Sequence, residues 1–344
     1  MRERIFFHAV NVFYGGDYPK LSKARDNFDS WEAAWGYVRK EAKFEPEAEW
    51  EKLEDQGIGL ALSGESSFPV SLREAPLSPF GLYFLGALPA GEPAVAIVGT
   101  RRATASGKMI AKNFSENLAL AGVTIVSGLA LGIDTAAHEG ALLGHGKTIG
   151  VLAGGVDSIY PRQNDKLAKK IIESGGAIVS EYPPGAPTYP YRFLDRNRII
   201  SGLSRGTLVV EAPEDSGALA TVRFALDQNR EVFVVPGPIG QLHYKGSNSL
   251  IRQGAALVTS AREILEELNL IDLSAPSGTT VKKPNFLDKK QSFIFDILKS
   301  TGEPINIDKL MEISKMDISA VNQVIGMMQI QGIIKEESGH YFLI

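Results

Sequence analysis

Glycine, serine and threonine gather where apolar runs of β type end. Gly99-Thr100-Arg101-Arg102 follows Ala94–Val98, and Ser127-Gly128 follows Thr124–Val126. Ala153-Gly154-Gly155 follows Thr148–Leu152, Ser180-Glu181 follows Ala177–Val179, and Ser216-Gly217 with Thr221 comes after Thr207–Glu211. Glycine lets a backbone approach a ligand closely, and a helix start turns unpaired N–H groups toward an anion. One such cluster is ordinary turn chemistry. Several on one sheet edge predict a phosphate pocket built from Gly99, Thr100, Ser127, Gly128, Gly155, Ser216, Gly217 and Thr221. The cations fit: Arg101 after the first strand, Arg162, Lys166, Lys169 and Lys170 after the third, and Arg192, Arg196 and Arg198 before the fifth, with the neutral amide of Asn197 as a further candidate between the last two. Tyr189, Tyr191 and Phe193 lie beside them, and bases stack on aromatics while phosphates meet cations, so single-stranded nucleic acid suits the mixture. Internal pairing of Arg196 or Arg198 with Asp134 or Glu181 is the competing reading.

Other chemistries lose ground. There is no cysteine, which removes thiolate metal sites, disulfides and a cysteine nucleophile. The five histidines show no zinc spacing, and no nucleophile–base–acid set is visible. His138 stands one helical turn after Asp134, which predicts a local contact at a helix start. The run 141–148 has a relaxed P-loop spacing, but a helix precedes it and a strand follows. That order is the reverse of what a phosphate loop needs, and a helix C-cap at Gly144 and Gly146 is expected. No G-x-G-x-x-G fingerprint occurs, so no dinucleotide cofactor is implied.

The elements that must hold these residues fall into three parts. Residues 1–88 read as a small helical domain, with helices near 30–40 and 46–56, closed by a proline-rich extended connector. Residues 89–270 alternate apolar strands with helices, the pattern of a parallel sheet covered on both faces. Residues 271–284 read as a linker, and 285–344 as three helices and a hairpin, a winged helix. The fold class expected is α/β: an extended Rossmann-like, parallel-rich sheet domain between a helical N-terminal and a winged-helix C-terminal domain. Across 344 residues, 36 Lys and Arg face 40 Asp and Glu, so a polyanion site must come from placement of a few cations. No apolar run reaches the roughly 18 residues of a membrane span, and the start shows no secretory cleavage pattern. A soluble, cytoplasmic protein without a membrane partner is expected.

Ala96-Ile-Val-Gly-Thr-Arg101, Ser127 to Asp134 with Ala137-His138, Tyr160-Pro161, Ser180-Glu181, Arg196 to Ile200, Ser216-Gly217 and Val235-Pro-Gly237 occur in one order. In these motifs the chain resembles the DNA-processing protein A family (DprA, also called Smf), over about residues 85–270. The resemblance implies single-stranded DNA binding, a homodimer, recruitment of RecA recombinase during natural transformation, no enzyme activity and no cofactor. Carried over by motif, Gly99, Arg101, Ser127 and Gly128 would hold phosphate, with Lys166, or Lys169 or Lys170, after the Tyr-Pro turn. Phe193-Leu194-Asp195 departs from the family's usual Phe-Pro entry to Arg-Asn-Arg. The alternative is a nucleotide-sugar phosphate hydrolase on the same sheet, with Glu181 or Glu211 as acid or base. A winged-helix transcription factor is disfavoured, because its recognition helix, 319–331, carries no Lys or Arg.

Overall fold

The computed structural model describes residues 1–88, 91–270, 289–301, 305–330, 333–337 and 339–343. Its larger sheet holds β1 (Gly59–Leu62), β2 (Gly81–Gly86), β3 (Ala94–Val98), β4 (Thr124–Ser127), β5 (Thr148–Val151), β6 (Ala177–Ser180), β7 (Gly206–Val209), β8 (Glu231–Val234) and β9 (Ala256–Leu257). Their spatial order is β1-β2-β6-β5-β4-β3-β7-β8-β9. From β6 to β9 every pairing is parallel, while β1 and β2 add antiparallel at one edge.

Alternation along β3 shows why its strands are apolar on both faces. Val95 and Ile97 pack in one core with α6 (Ala105–Leu120), α7 (Ile133–Leu143) and α12 (Ala261–Glu267). Ala94, Ala96 and Val98 pack in another with α9 (Pro190–Gly202) and α10 (Ala218–Asp227). The chain walks outward from β3 to β6, then returns through α9 to place β7 on the other side of β3. This reversal opens a crevice at the carboxyl ends of β3 and β7. The P-loop-like run lies at the end of α7, with Gly144 as its C-cap, and leads into β5.

The N-terminal region differs from the reading of its sequence. Four helices, α1 (Arg2–Tyr14), α2 (Tyr18–Asn27), α3 (Trp31–Val38) and α4 (Pro46–Asp55), precede β1. The proline-bounded stretch read as a connector supplies β1, the short helix α5 (Val70–Arg73) and β2. Phe7, Trp31, Trp35 and Leu53 share a core with Tyr83 of β2 and with Leu129, Leu152 and Ile178 of the sheet region. Residue 88 therefore falls between two strands of one sheet, and Met1–Ser274 is a single compact unit. The second unit is Ala275–Ile344. It contains α13 (Lys289–Thr301), β10 (Ile305–Asn306), α14 (Ile307–Ser314), α15 (Ile318–Ile330), β11 (Ile334–Glu337) and β12 (His340–Leu343). Its strands pair antiparallel in the order β10-β12-β11, over a core that includes Phe295, Leu310, Val321 and Met328. The expected linker, 271–284, lies outside the described residues, as does Ser338 of the expected hairpin turn. Among the described residues no helix is long and apolar enough to cross a membrane.

Two buried histidines make this fold acid-sensitive. His138 lies against Thr148 Oγ1 at 2.7 Å, and that hydroxyl donates its proton to Ile125 O at 2.8 Å. His138 Nδ1 must therefore be the donor, which leaves Nε2 bare in the interior. The contact expected with Asp134 is replaced by this one. Burial pushes His138 down to about 3 and His8, which pairs with the Tyr83 hydroxyl, down to about 4. The unfolded chain takes up these protons near pH 6.5, well before the folded one. Stability is thus complete above about pH 6.5 and falls steadily as the pH drops toward the folded values. Between pH 7 and 5 each histidine should cost about 2 kcal/mol. Urea unfolding at the two pH values measures the loss, and His138→Asn should remove about half of it. An unchanged difference in the variant would refute this account.

Candidate nucleic-acid interface

The crevice at the β3/β7 reversal is a cleft of about 950 Å³. One wall is the turn after β3, with Gly99, Thr100, Arg101 and Arg102. Gly99 sits so close to Ile133 and to Glu211 O that a Cβ there would lie 2.5 and 2.8 Å away, respectively. Thr100 N–H donates to Glu211 O at 2.7 Å, which joins this turn to the end of β7. The opposite wall is the start of α10, where Ser216, Gly217 and Thr221 line the space. Ser216 Oγ accepts from Ala218 N–H at 3.3 Å, and Asn197 Nδ2 donates to Gly217 O at 3.2 Å. A helix N-terminus thus opens on the cleft with two arginines across from it, a setting for an anion.

Phe193, Arg196, Asn197 and Ile200 of α9 form the floor, one helical face at i, i+3, i+4 and i+7. Arg196 is buried and donates through Nη1 to Gly128 O at 2.7 Å and to Val151 O. Asp134 accepts from Gly128 N–H at 3.1 Å and Ala130 N–H at 3.3 Å. Burial raises its carboxyl pKa, while the facing Arg196 opposes the rise. The Arg101 guanidinium lies 4.7 Å from the Phe193 ring centroid, and Tyr160 meets the same ring at 5.7 Å. The exposed Arg101, the Phe193 ring and the start of α10 thereby offer a cation, an aromatic face and N–H donors to one ligand.

Of the residues expected from sequence, Gly99, Thr100, Arg101, Arg196, Asn197, Ser216, Gly217 and Thr221 meet here. The others do not line the cleft, and each has a physical reason. Ser127 is buried and donates to Ile97 O at 2.7 Å. Gly128 is covered by Asp134 and Arg196, and Gly155 is packed against the 183–185 loop. Lys166 and Lys169 are exposed on α8 (Asp165–Glu173). Arg198 points into the interior, in a buried ion pair with Glu181, as the competing reading held. That pairing also takes Glu181 away from any hydrolytic role. Glu211 is fully buried and accepts from Thr104 N–H and Oγ1 at the start of α6, so neither carboxylate of the hydrolase alternative lines the cleft. Sequence reasoning missed Arg102, Asp215 and His243. His243 Nδ1 lies 3.3 Å from Glu211 Oε1 and arrives from the segment after β8, where no local pattern marks it.

A family model described as DNA recombination-mediator protein A matches residues 59–269. Protein Smf of Escherichia coli is 46% identical over 217 residues, which are 63% of this chain and 58% of that protein. The chain thus spans under two thirds of that relative's length. The X-ray structure of DNA processing protein A from Streptococcus pneumoniae aligns with a TM-score of 0.61 at 36% identity, over 68% of this chain and 81% of that one. DNA processing protein A of Helicobacter pylori, reported for its single-stranded DNA binding mode, aligns at 0.56 with 30% identity, over 62% of this chain and 95% of that one.

Proposed function

The chain belongs to the DNA recombination-mediator protein A family, and on that premise we propose that it binds single-stranded DNA in the β3/β7 cleft. It acts as a recombination mediator rather than an enzyme, in DNA processing during natural transformation. The observation that carries the reading is the cleft itself. The α10 N-terminus, Arg101, Arg196 and the Phe193 ring converge there, and they match the phosphates and bases of an unpaired strand. Lys166 and Lys169, off the cleft, would meet phosphates farther along the strand. Handing the strand to RecA recombinase in the cytoplasm extends the same reading.

A homodimer is the proposed assembly. In the sheet β7 and β8 are interior strands and β9 holds the edge. The support is Ile239, Leu242 and Leu257, exposed by 100%, 74% and 48%, apolar groups that a second copy would cover. Residues 285–344 are assigned as a winged helix for a protein partner, since α15 carries no cation.

Titration of labelled oligonucleotides at two salt concentrations tests the function. Single strands should bind more tightly than duplex, and binding should weaken with salt as counterion release loses its advantage. Arg101→Ala should lose about 1–3 kcal/mol of binding, the range for charge-assisted hydrogen bonds, with the fold intact. Equal affinity for duplex and single strand, or wild-type binding by folded Arg101→Ala, would overturn the proposal.

A further inference from the structure

We infer that Tyr189 and Tyr191 form a second base-stacking platform, outside the cleft, on which the strand leaving the cleft lays its next bases. The inference rests on the single-strand reading of the cleft and extends it along the surface. The two rings stack with planes 8° apart and centroids 5.7 Å apart. They are 44% and 57% exposed, unusual for a matched aromatic pair that has found no protein cover.

Arg192 lies against both rings. This side chain is 5% exposed, and its guanidinium lies 5.0 Å from the Tyr189 ring, 6.0 Å from Tyr191 and 4.2 Å from Tyr182 beneath. Its Nη atoms donate to the neutral carbonyls of Pro187 and Gly15, at 2.9 and 2.6 Å, and its buried Nε has no hydrogen-bond partner among the described residues. A cation held on the inner face of the rings draws π density inward, which favours an electron-rich base on the outer face.

The platform is continuous with the cleft. Pro190, between the two tyrosines, lines it, and so does Leu194, the i+3 neighbour of Tyr191 on α9. A single strand is the ligand that needs such a sequence of surfaces: an anion site, then a cleft aromatic, then flat rings at the exit. Base–aromatic stacking strengthens single-strand binding, so the platform should add about tenfold to the affinity of a strand long enough to reach it.

The test uses the full chain and oligothymidylates of increasing length, with abasic versions in which the outer bases are removed. Wild type should gain affinity with length, and the abasic strands should not. The double variant Y189A/Y191A should bind short strands as wild type does and lose about tenfold on long ones, while Y189F/Y191F keeps the gain. Long strands held equally by wild type and Y189A/Y191A, or abasic strands held as tightly as intact ones, would overturn the platform even with short-strand binding intact. Failure of wild type to bind the short strands would instead remove the cleft reading. A proline-rich peptide held by the tyrosines, with long strands indifferent to them, would replace base by peptide and overturn the inference.

Discussion

Arg198→Ala is expected to lower the free energy of unfolding by about 3–5 kcal/mol, while the folded fraction binds single strands as wild type does. The guanidinium and the Glu181 carboxylate are about 6% and 7% exposed and pair with each other, and Arg198 also stacks over Tyr18 at 5.0 Å. Truncating the cation strands a carboxylate whose pKa burial already raises. The matched replacement R198M/E181L removes both charges, so it should restore much of the loss; a buried pair contributes little net stability beyond an apolar one. Urea unfolding of the three proteins, followed by oligonucleotide titration under folding conditions, separates the possibilities. A stable Arg198→Ala that has lost DNA binding would return Arg198 to the cleft.

Arg198 also shows where the sequence stopped being legible. Arg196, Asn197 and Arg198 read as one basic block. On a helix, successive residues turn by about 100°, so Arg198 stands about 200° from Arg196. The cleft takes the 193/196/197/200 face and the interior takes Arg198. The strand-end clusters behave alike. Their positions after β3 to β7 were readable from apolar runs and turn residues. Which of them stay open depends on sheet order, which no local pattern contains. Those flanking the β3/β7 reversal face the cleft, whereas the β4 end is roofed by Asp134 and Arg196 and the Gly155 turn by the 183–185 loop. β1 and β2 were hidden for a related reason. The run 59–86 is short, contains glycines and prolines, and gains its strand character only by pairing beside β6.

Gly132→Ala should damage the cleft from behind, because Gly132 packs against the Thr100–Arg101 turn that forms one wall. Gly132 has φ +86 and ψ −122, a conformation that side-chain-bearing residues avoid. A Cβ there would lie 2.4 Å from Thr100 O and 2.7 Å from Arg101 O. Both are backbone atoms of the turn after β3, and that turn is fixed from its other side by the Thr100 N–H to Glu211 O bond at 2.7 Å. The clash cannot be relieved by rotating a side chain; it must push the Thr100–Arg101 turn or unwind the start of α7. Backbone strain of this kind costs about 1–3 kcal/mol, and the displaced packing adds to it, so a loss of about 3 kcal/mol or more is expected. Because Thr100 and Arg101 move with the turn, single-strand affinity should fall by about tenfold as well, near 1.4 kcal/mol. Gly122→Ala is the control. It has φ +80, but a Cβ added there would meet nothing within 4 Å, and it lies away from the cleft, so it should cost only about 1–2 kcal/mol, with DNA binding unchanged. If the two variants lose the same stability and neither changes DNA binding, positive φ alone governs both. The close approach of α7 to the β3 turn would then have no part in shaping the cleft.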